Sequence, residues 1–240
     1  MLTTRVADED PDLFAAVSDP AAAAAASVAE TRWLDVGDWS PEHDRPDPTA
    51  HYGLLILDGM LLRRVALGVR DSIELLGPGD VARPWVSFGE GSGIPLNARW
   101  HVHQRTRLAI LDRRWAVRVA PWPEVAAALM DRAIRRQRFL AMHAAISQMP
   151  KLQGRLLVLF WYLADRWGRV TSDGVMVDVA LTHELVAGIV GARRPGVTSA
   201  LGELQRAGEL GRRDDGRWVL LGEPPSELTL EADRARQGAA

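Results

Sequence analysis

No cysteine occurs in the 240 residues of the chain. That excludes disulfides, thiolate zinc fingers, cysteine-ligated iron–sulfur clusters and a cysteine nucleophile. Lysine is nearly absent too: Lys151 is the single one, and arginine supplies the other 28 basic residues. With the many alanines, this reads as a coding bias toward GC-rich DNA rather than a device of the protein. No apolar run reaches the roughly 18–20 residues that a membrane helix needs. The longest are Ala21–Ala29 and Leu156–Ala164. The first ten residues turn acidic early and have no apolar h-region, so no secretory leader and no membrane partner are expected, and the expected location is cytoplasmic. Catalytic motifs are missing as well: there is no phosphate-cradling loop, dinucleotide fingerprint, paired-histidine zinc helix or nucleophile elbow. The expectation is a non-enzyme with no cofactor.

What is present is an ordinary globular balance, 47% hydrophobic and 25% charged residues, in a chain long enough to bury a core. The net charge of −2 hides an asymmetry: −8 over residues 1–50, +6 over 51–150, +2 over 151–222 and −2 beyond. A balanced whole with a basic middle argues against a general nucleic-acid coat, but it leaves room for a local basic face.

The first fifty residues mix an acidic start, an alanine run after Asp19-Pro20 and a Pro/Asp/His stretch over 40–49. The alanine run reads equally as a short helix or as a flexible segment. From Tyr52 the pattern changes to short strands between turns. Leu54–Leu57 and Met60–Val69 flank Asp58-Gly59, a hairpin signal. Ile73–Leu76 is closed by Gly77-Pro78-Gly79-Asp80, and Trp100–Val102 and Leu108–Leu111 add two more strands. Such spacing predicts an antiparallel barrel or roll over residues 1–120. Pro121 and Pro123 then open a long helix within 121–149. Ala126, Met130, Ala133, Gln137, Leu140 and Ala144 follow coiled-coil spacing. They form either a dimer seam or one face of a helix packed on its own domain. Phe139, Met142, Ile146 and Met149 make a second stripe, and Arg132, Arg135, Arg136 and Arg138 read as a solvated face.

Residues 150–222 read as helix, strand, helix, tight turn, helix and hairpin, with a tail over 223–240. Thr182 is a helix N-cap, Gly191 ends that helix, and a second helix runs from near Arg193 to about Ala207 before Gly208. Leu185, Ile189 and Val190 can meet Val197, Leu201 and Leu204 across the turn, the pattern of a helix-turn-helix. The outer face then shows Arg194, Pro195, Thr198 and Ser199, small and arginine-led, as entry into a major groove requires. Arg212, Arg213 and Arg217 border an Asp-Gly turn, a hairpin wing whose arginines can reach phosphate.

The stretch Leu181–Leu210 resembles the winged-helix signature of the Crp/Fnr family of bacterial transcription regulators. It has the Thr182 cap, the Ile189-Val190-Gly191 turn, the leading Arg194, and Val197, Leu201 and Leu204 at core positions. The Asp58-Gly59 pair and Gly77-Pro78-Gly79-Asp80-Val81 resemble turns of that family's roll. The resemblance implies an α+β protein: an N-terminal antiparallel, cyclic-nucleotide-binding-like β-roll, a long dimerisation helix and a C-terminal winged helix-turn-helix. It implies a homodimer on an inverted repeat of double-stranded DNA, with Thr182, Arg193, Arg194, Pro195, Thr198, Ser199, Arg212, Arg213 and Arg217 at the DNA and Met130, Ala133, Gln137, Leu140 and Ala144 in the dimer. RNA polymerase is a further expected partner should the protein activate. Arg194 stands where the family reads guanine, whereas Pro195 and Ser199 replace residues that complete its best-known operator contacts. The alternative is a ligand-binding signalling module whose winged helix does not bind DNA.

In members that bind cyclic nucleotide, a Gly-Glu-Leu segment holds the ribose, and an arginine followed by a small hydroxyl residue holds the phosphate. Here Ala82-Arg83-Pro84-Trp85 and Arg99-Trp100-His101 stand instead, which argues against a cyclic nucleotide. Arg83, Trp85 and Arg99 are candidates for another small-molecule effector. His43, His51, His101 and His103 are candidates for a haem or metal, and no metal is expected.

Overall fold

The computed structural model describes residues 2–41, 52–67, 70–85, 97–225 and 228. They form two compact units, residues 1–140 and 141–240. In chain order the first contains β1 (Leu2–Arg5), α1 (Val6–Glu9), α2 (Pro20–Ala26), β2 (Val28–Leu34), β3 (Gly37–Trp39), β4 (Gly53–Leu67), β5 (Arg70–Leu76), β6 (Val81–Ala82), β7 (Asn97–Leu111), α3 (Arg113–Val119) and most of α4 (Pro123–Gln148). Its strands make one antiparallel sheet in the order β1-β2-β7-β4-β5, with β3 beside β7 and β6 beside β4.

The alanine run resolves as helix α2, because Pro20 sits at its first turn and the Asp19 carboxylate accepts from the Ala22 N–H at 3.1 Å. Asp58-Gly59 is not a hairpin. β4 runs straight through it, and the register against β7 slips between Ile56 and Leu61. Gly59 takes φ +85° while the Asp58 carboxylate accepts from its N–H, so the pair makes a bulge. A β-carbon at Gly59 would run into the Arg105 carbonyl. Likewise the two short strands expected around Trp100 and Leu108 are one strand, β7, because bulges let a long strand bend around the roll.

Two cores result. Inside the roll, Leu54, Ile56, Leu61, Leu76, Val102 and Leu108 are buried together. On the other face, Val6, Leu13, Phe14, Ala23 and Ala29 from the first thirty residues pack with Trp115, Val119, Val125 and Leu129. Trp115 is fully buried and donates through Nε1 to the Ser27 carbonyl at 3.0 Å.

The expected solvated arginine face of α4 holds for Arg135 and Arg138, which are exposed. It fails for Arg132 and Arg136. Arg132 is 8% exposed and forks onto Asp10, with both bonds at 2.6 Å, and it donates to the Gly79 carbonyl at 2.7 Å. Arg136 forks onto Glu74 at 2.7 and 3.1 Å, and Arg63 reaches the same carboxylate at 2.5 Å. Burial pulls both guanidiniums down. At Arg136 the bonds and charge of Glu74, with Asp80, outweigh it and leave the group raised; Arg63 stays lowered, pushed further by the charge of Arg136. These pairs were hidden in the sequence because each joins residues more than sixty positions apart, except Arg63 with Glu74.

The second unit contains α5 (Leu152–Trp167), β8 (Gly168–Thr171), β9 (Gly174–Val177), α6 (His183–Val190), α7 (Arg194–Arg206), β10 (Leu210–Arg212) and β11 (Trp218–Leu220). Its antiparallel sheet runs β10-β11-β9-β8. Together the two units are an α+β architecture of antiparallel roll, long helix and winged helix-turn-helix.

Removing one partner of a buried ion pair strands the other charge, at a cost of about 3–5 kcal/mol. Asp10→Ala is expected to lower unfolding stability by that order in urea titration. A loss within the scatter of surface substitutions would show that the Arg132 fork carries no weight.

Candidate nucleic-acid interface

The interface is built on α6 and α7. The Thr182 hydroxyl accepts from the Leu185 N–H at 3.1 Å and starts α6. Gly191 ends it with φ +65°, a left-handed conformation in which the Ala192 N–H reaches back to the Ala187 carbonyl at 2.9 Å. Arg193 then caps α7 through its backbone, and Pro195 sits in the first turn. Leu185, Ile189 and Val190 are buried with Val197, Leu201 and Leu204, as expected for a helix-turn-helix. The other face of α7 is open: Arg193, Arg194, Pro195, Thr198 and Ser199 are all exposed.

The two hydroxyls on that face are already engaged. Thr198 donates to the Arg194 carbonyl at 3.1 Å, and Ser199 donates to the Pro195 carbonyl at 3.2 Å. Both oxygens therefore face outward chiefly as acceptors. Arg194 is the long cationic side chain of α7's first turn, one turn ahead of them.

The wing is closed by β10 and β11, paired Leu210↔Leu220 to Arg212↔Trp218. Its arginines differ in their surroundings. Arg213 pairs with Asp173 at 3.1 Å, and Arg217 pairs with Asp178 at 2.9 Å and with Asp215 at 3.6 Å. Arg212 stacks on the Trp218 ring at 5.3 Å. Trp218 is fully buried, donates through Nε1 to the Leu181 carbonyl at 3.1 Å and packs on Phe160. It ties the wing to the residue just ahead of α6.

His183 was given no role in the sequence, though it follows the Thr182 cap. Its Nδ1 lies 2.9 Å from the Thr198 hydroxyl, and its ring lies 5.9 Å from that of Trp218. No local signal announces this pairing across fifteen residues.

On α4, Met130, Ala133, Gln137, Leu140 and Ala144 are all exposed, and so is Ile134. Phe139 and Ile146 of the second stripe are buried, with Met142 and Met149 partly so. The effector candidates do not converge. Arg83 lines a cavity of about 440 Å³ with Arg63, Arg136, Trp100, Leu129 and Met130. Arg99 lines another of about 510 Å³ with Asp38, Trp39, Arg64 and His101. Trp85 packs against the inner core of the roll. His101 is held by Asp38 at 2.9 Å, and His43 and His51 lie outside the described residues. Among the described residues, three or more metal-ligating side chains nowhere gather, and no helix is long and apolar enough to cross a membrane.

A roll of antiparallel strands, a long helix with an exposed apolar stripe and a winged helix with an uncovered α7 define a class of roll-plus-winged-helix proteins. No protein-family model matches the chain. The chain is 28% identical over 176 residues to the CRP-like cAMP-activated global transcriptional regulator of Mycobacterium tuberculosis, covering 72% of this chain and 74% of that one. It is also 28% identical over 120 residues to the regulatory protein CysR of Synechococcus elongatus, a match spanning 48% of this chain and 58% of the relative. Among solved structures, a CooA variant from Carboxydothermus hydrogenoformans superposes with TM-score 0.59 at 15% identity, covering 81% of this chain and 84% of that one. FixK2 from Bradyrhizobium japonicum gives 0.59 at 18%, covering 81% and 93%. The chain is thus similar in sequence to these two bacterial regulators and shares the fold of CooA and FixK2.

A capping hydroxyl contributes about 1 kcal/mol. Thr182→Ala is expected to lower the thermal midpoint and to loosen α6, read as faster amide exchange at Leu185. Unchanged exchange there would remove the cap from the account.

Proposed function

We propose that the protein is a sequence-specific DNA-binding transcription regulator that acts as a homodimer on an inverted repeat. One observation carries the reading. α7 is packed by its apolar face against α6 and leaves an uncovered face led by Arg194. A helix of this kind enters the major groove with its N-terminal residues at base edges.

Arg194 reads guanine through two parallel N–H bonds, Arg193 and Arg212 take backbone phosphate, and Thr198 and Ser199 offer acceptor oxygens to base amino groups. Arg213 and Arg217 reach phosphate only by exchanging an aspartate partner for it, so their share is smaller. Pro195 contributes shape, not hydrogen bonds.

The exposed stripe of α4 supports the dimer. Met130 is 62% exposed and Leu140 40%, exposures expected of residues that a second copy would cover. The domain limits that follow are 1–120 for the roll, 121–149 for the helix, 150–222 for the winged helix and 223–240 for the tail. Where α4 meets the roll, Arg83 and Trp100 line a cavity that suits a small anion with a flat apolar part as effector, with Arg63 and Arg136 beside them engaged by Glu74. RNA polymerase is the partner if the protein activates, and the cytoplasm is the location this function requires.

Two substitutions test the reading. Arg194→Ala is expected to relax preference at one base pair of each half-site by about 1–3 kcal/mol; binding competition with single-base operator variants measures it. An equal loss on every sequence would make Arg194 a phosphate anchor instead. Leu140→Glu in the open seam is expected to give monomers in sedimentation and to weaken binding to the full repeat far more than to a half-site. A dimer that survives it places the interface elsewhere.

A further inference from the structure

One buried titratable atom on the DNA-binding unit is not used by that account. His183 presents Nδ1 to the Thr198 hydroxyl, while its Nε2 is buried and meets no hydrogen-bond partner. The Thr198 hydroxyl hydrogen is committed to the Arg194 carbonyl. Its oxygen must then accept from His183, which puts the ring proton on Nδ1 and leaves Nε2 with a bare lone pair. A proton on the buried Nε2 would meet no acceptor, which favours the neutral ring in this arrangement, and the Nδ1 proton holds in place a side chain of the exposed α7 face.

We propose that His183 is a positioning residue for the DNA-reading face of α7 and that binding of DNA takes up a proton on its ring. This rests on the DNA-binding reading above. The charged groups acting on the ring come from the two neighbouring elements, Arg194 of α7 and Arg212 of β10, and Trp218 of β11 packs on it without charge. Burial, then Arg212, then Arg194 hold the imidazole below its usual value. The phosphate taken by Arg212, with the other backbone phosphates brought close on binding, offsets the positive charges of Arg212 and Arg194 that oppose the second proton. The Nδ1–H bond to Thr198 exists in both protonation states, so uptake leaves the positioning contact in place.

The sign follows from linkage: DNA raises the proton affinity of the ring, so protons raise the affinity for DNA. The gain is absent at alkaline pH, where the ring is neutral in both states. It accrues as pH falls through the value of the complex toward the lower value of the free protein.

The test uses the full chain and a duplex carrying its selected binding sequence, with the dissociation constant measured from pH 8 to 5.5 at fixed salt. His183→Asn keeps a neutral donor near the Nδ1 position and removes the titration. The wild type is expected to gain about three- to tenfold more affinity per half-site over this range than His183→Asn, and about the square of that on the full repeat, where the dimer brings two rings. As a check needing no variant, the His183 ring signals in NMR are expected to titrate at higher pH in the complex than in the free protein. Parallel pH profiles, or a His183 titration unmoved by DNA, overturn the proposal while leaving DNA binding intact. Failure of the wild type to select any sequence at any pH overturns the DNA-binding reading, and this proposal with it.

Discussion

Two carboxylates of the roll hold the long helix, and the first unit depends on them. Asp10 takes both arms of Arg132, and Glu74 sits between Arg136 and Arg63. Apolar packing alone would let α4 slide or rotate along Val125 and Leu129, because burial has no preferred direction. A bidentate guanidinium fork fixes both position and rotation. Gly79, at φ +85°, is shaped by the same contact: a β-carbon there would stand 2.9 Å from the Arg132 guanidinium nitrogen. The helix turned this way shows Met130, Ile134 and Leu140 outward. The geometry of the open seam is thus set from the opposite face of the same helix.

In the second unit the organising group is Trp218. It fills the space beside Phe160, donates to the Leu181 carbonyl, and carries Arg212 and His183 against its ring. One buried indole therefore links the wing strand, the entry to α6 and the cation beside the reading helix. On the proposed reading, α7 has few parts to read with. A single leading arginine and two hydroxyls that already bond their own helix leave little direct code, so groove shape must carry more of the discrimination.

The winged helix was legible in the sequence because its signals are local. Thr182, Gly191 and Gly208 punctuate two helices whose apolar spacing is unambiguous, and α6 and α7 fall within two residues of the expectation. The roll was legible as a class but not in detail. Asp-Gly serves a two-residue hairpin and a bulge equally well, and only the partner strand decides between them; here β7 runs alongside β4 past Asp58. The first thirty residues hid two strands and a packing role, since Val6, Leu13 and Phe14 show no sustained period. The arginines of α4 illustrate the same limit: at local spacing Arg132 and Arg136 look like Arg135 and Arg138, and only distant Asp10 and Glu74 distinguish them. His183 is missed for that reason too, because its partner Thr198 lies on the next helix.

The central claim is that the exposed face of α7, in a two-fold dimer, reads DNA. The most direct measurement is to incubate the full chain, without added ligand, with sheared genomic DNA at near-physiological salt, and to sequence what it retains beside what Arg194→Ala retains. The account predicts an inverted repeat with half-site centres about 34 Å apart, one turn of the duplex, and loss of one conserved base pair per half-site with the variant. Retained fragments that match the input composition, for both proteins and also after addition of cell extract, would contradict it.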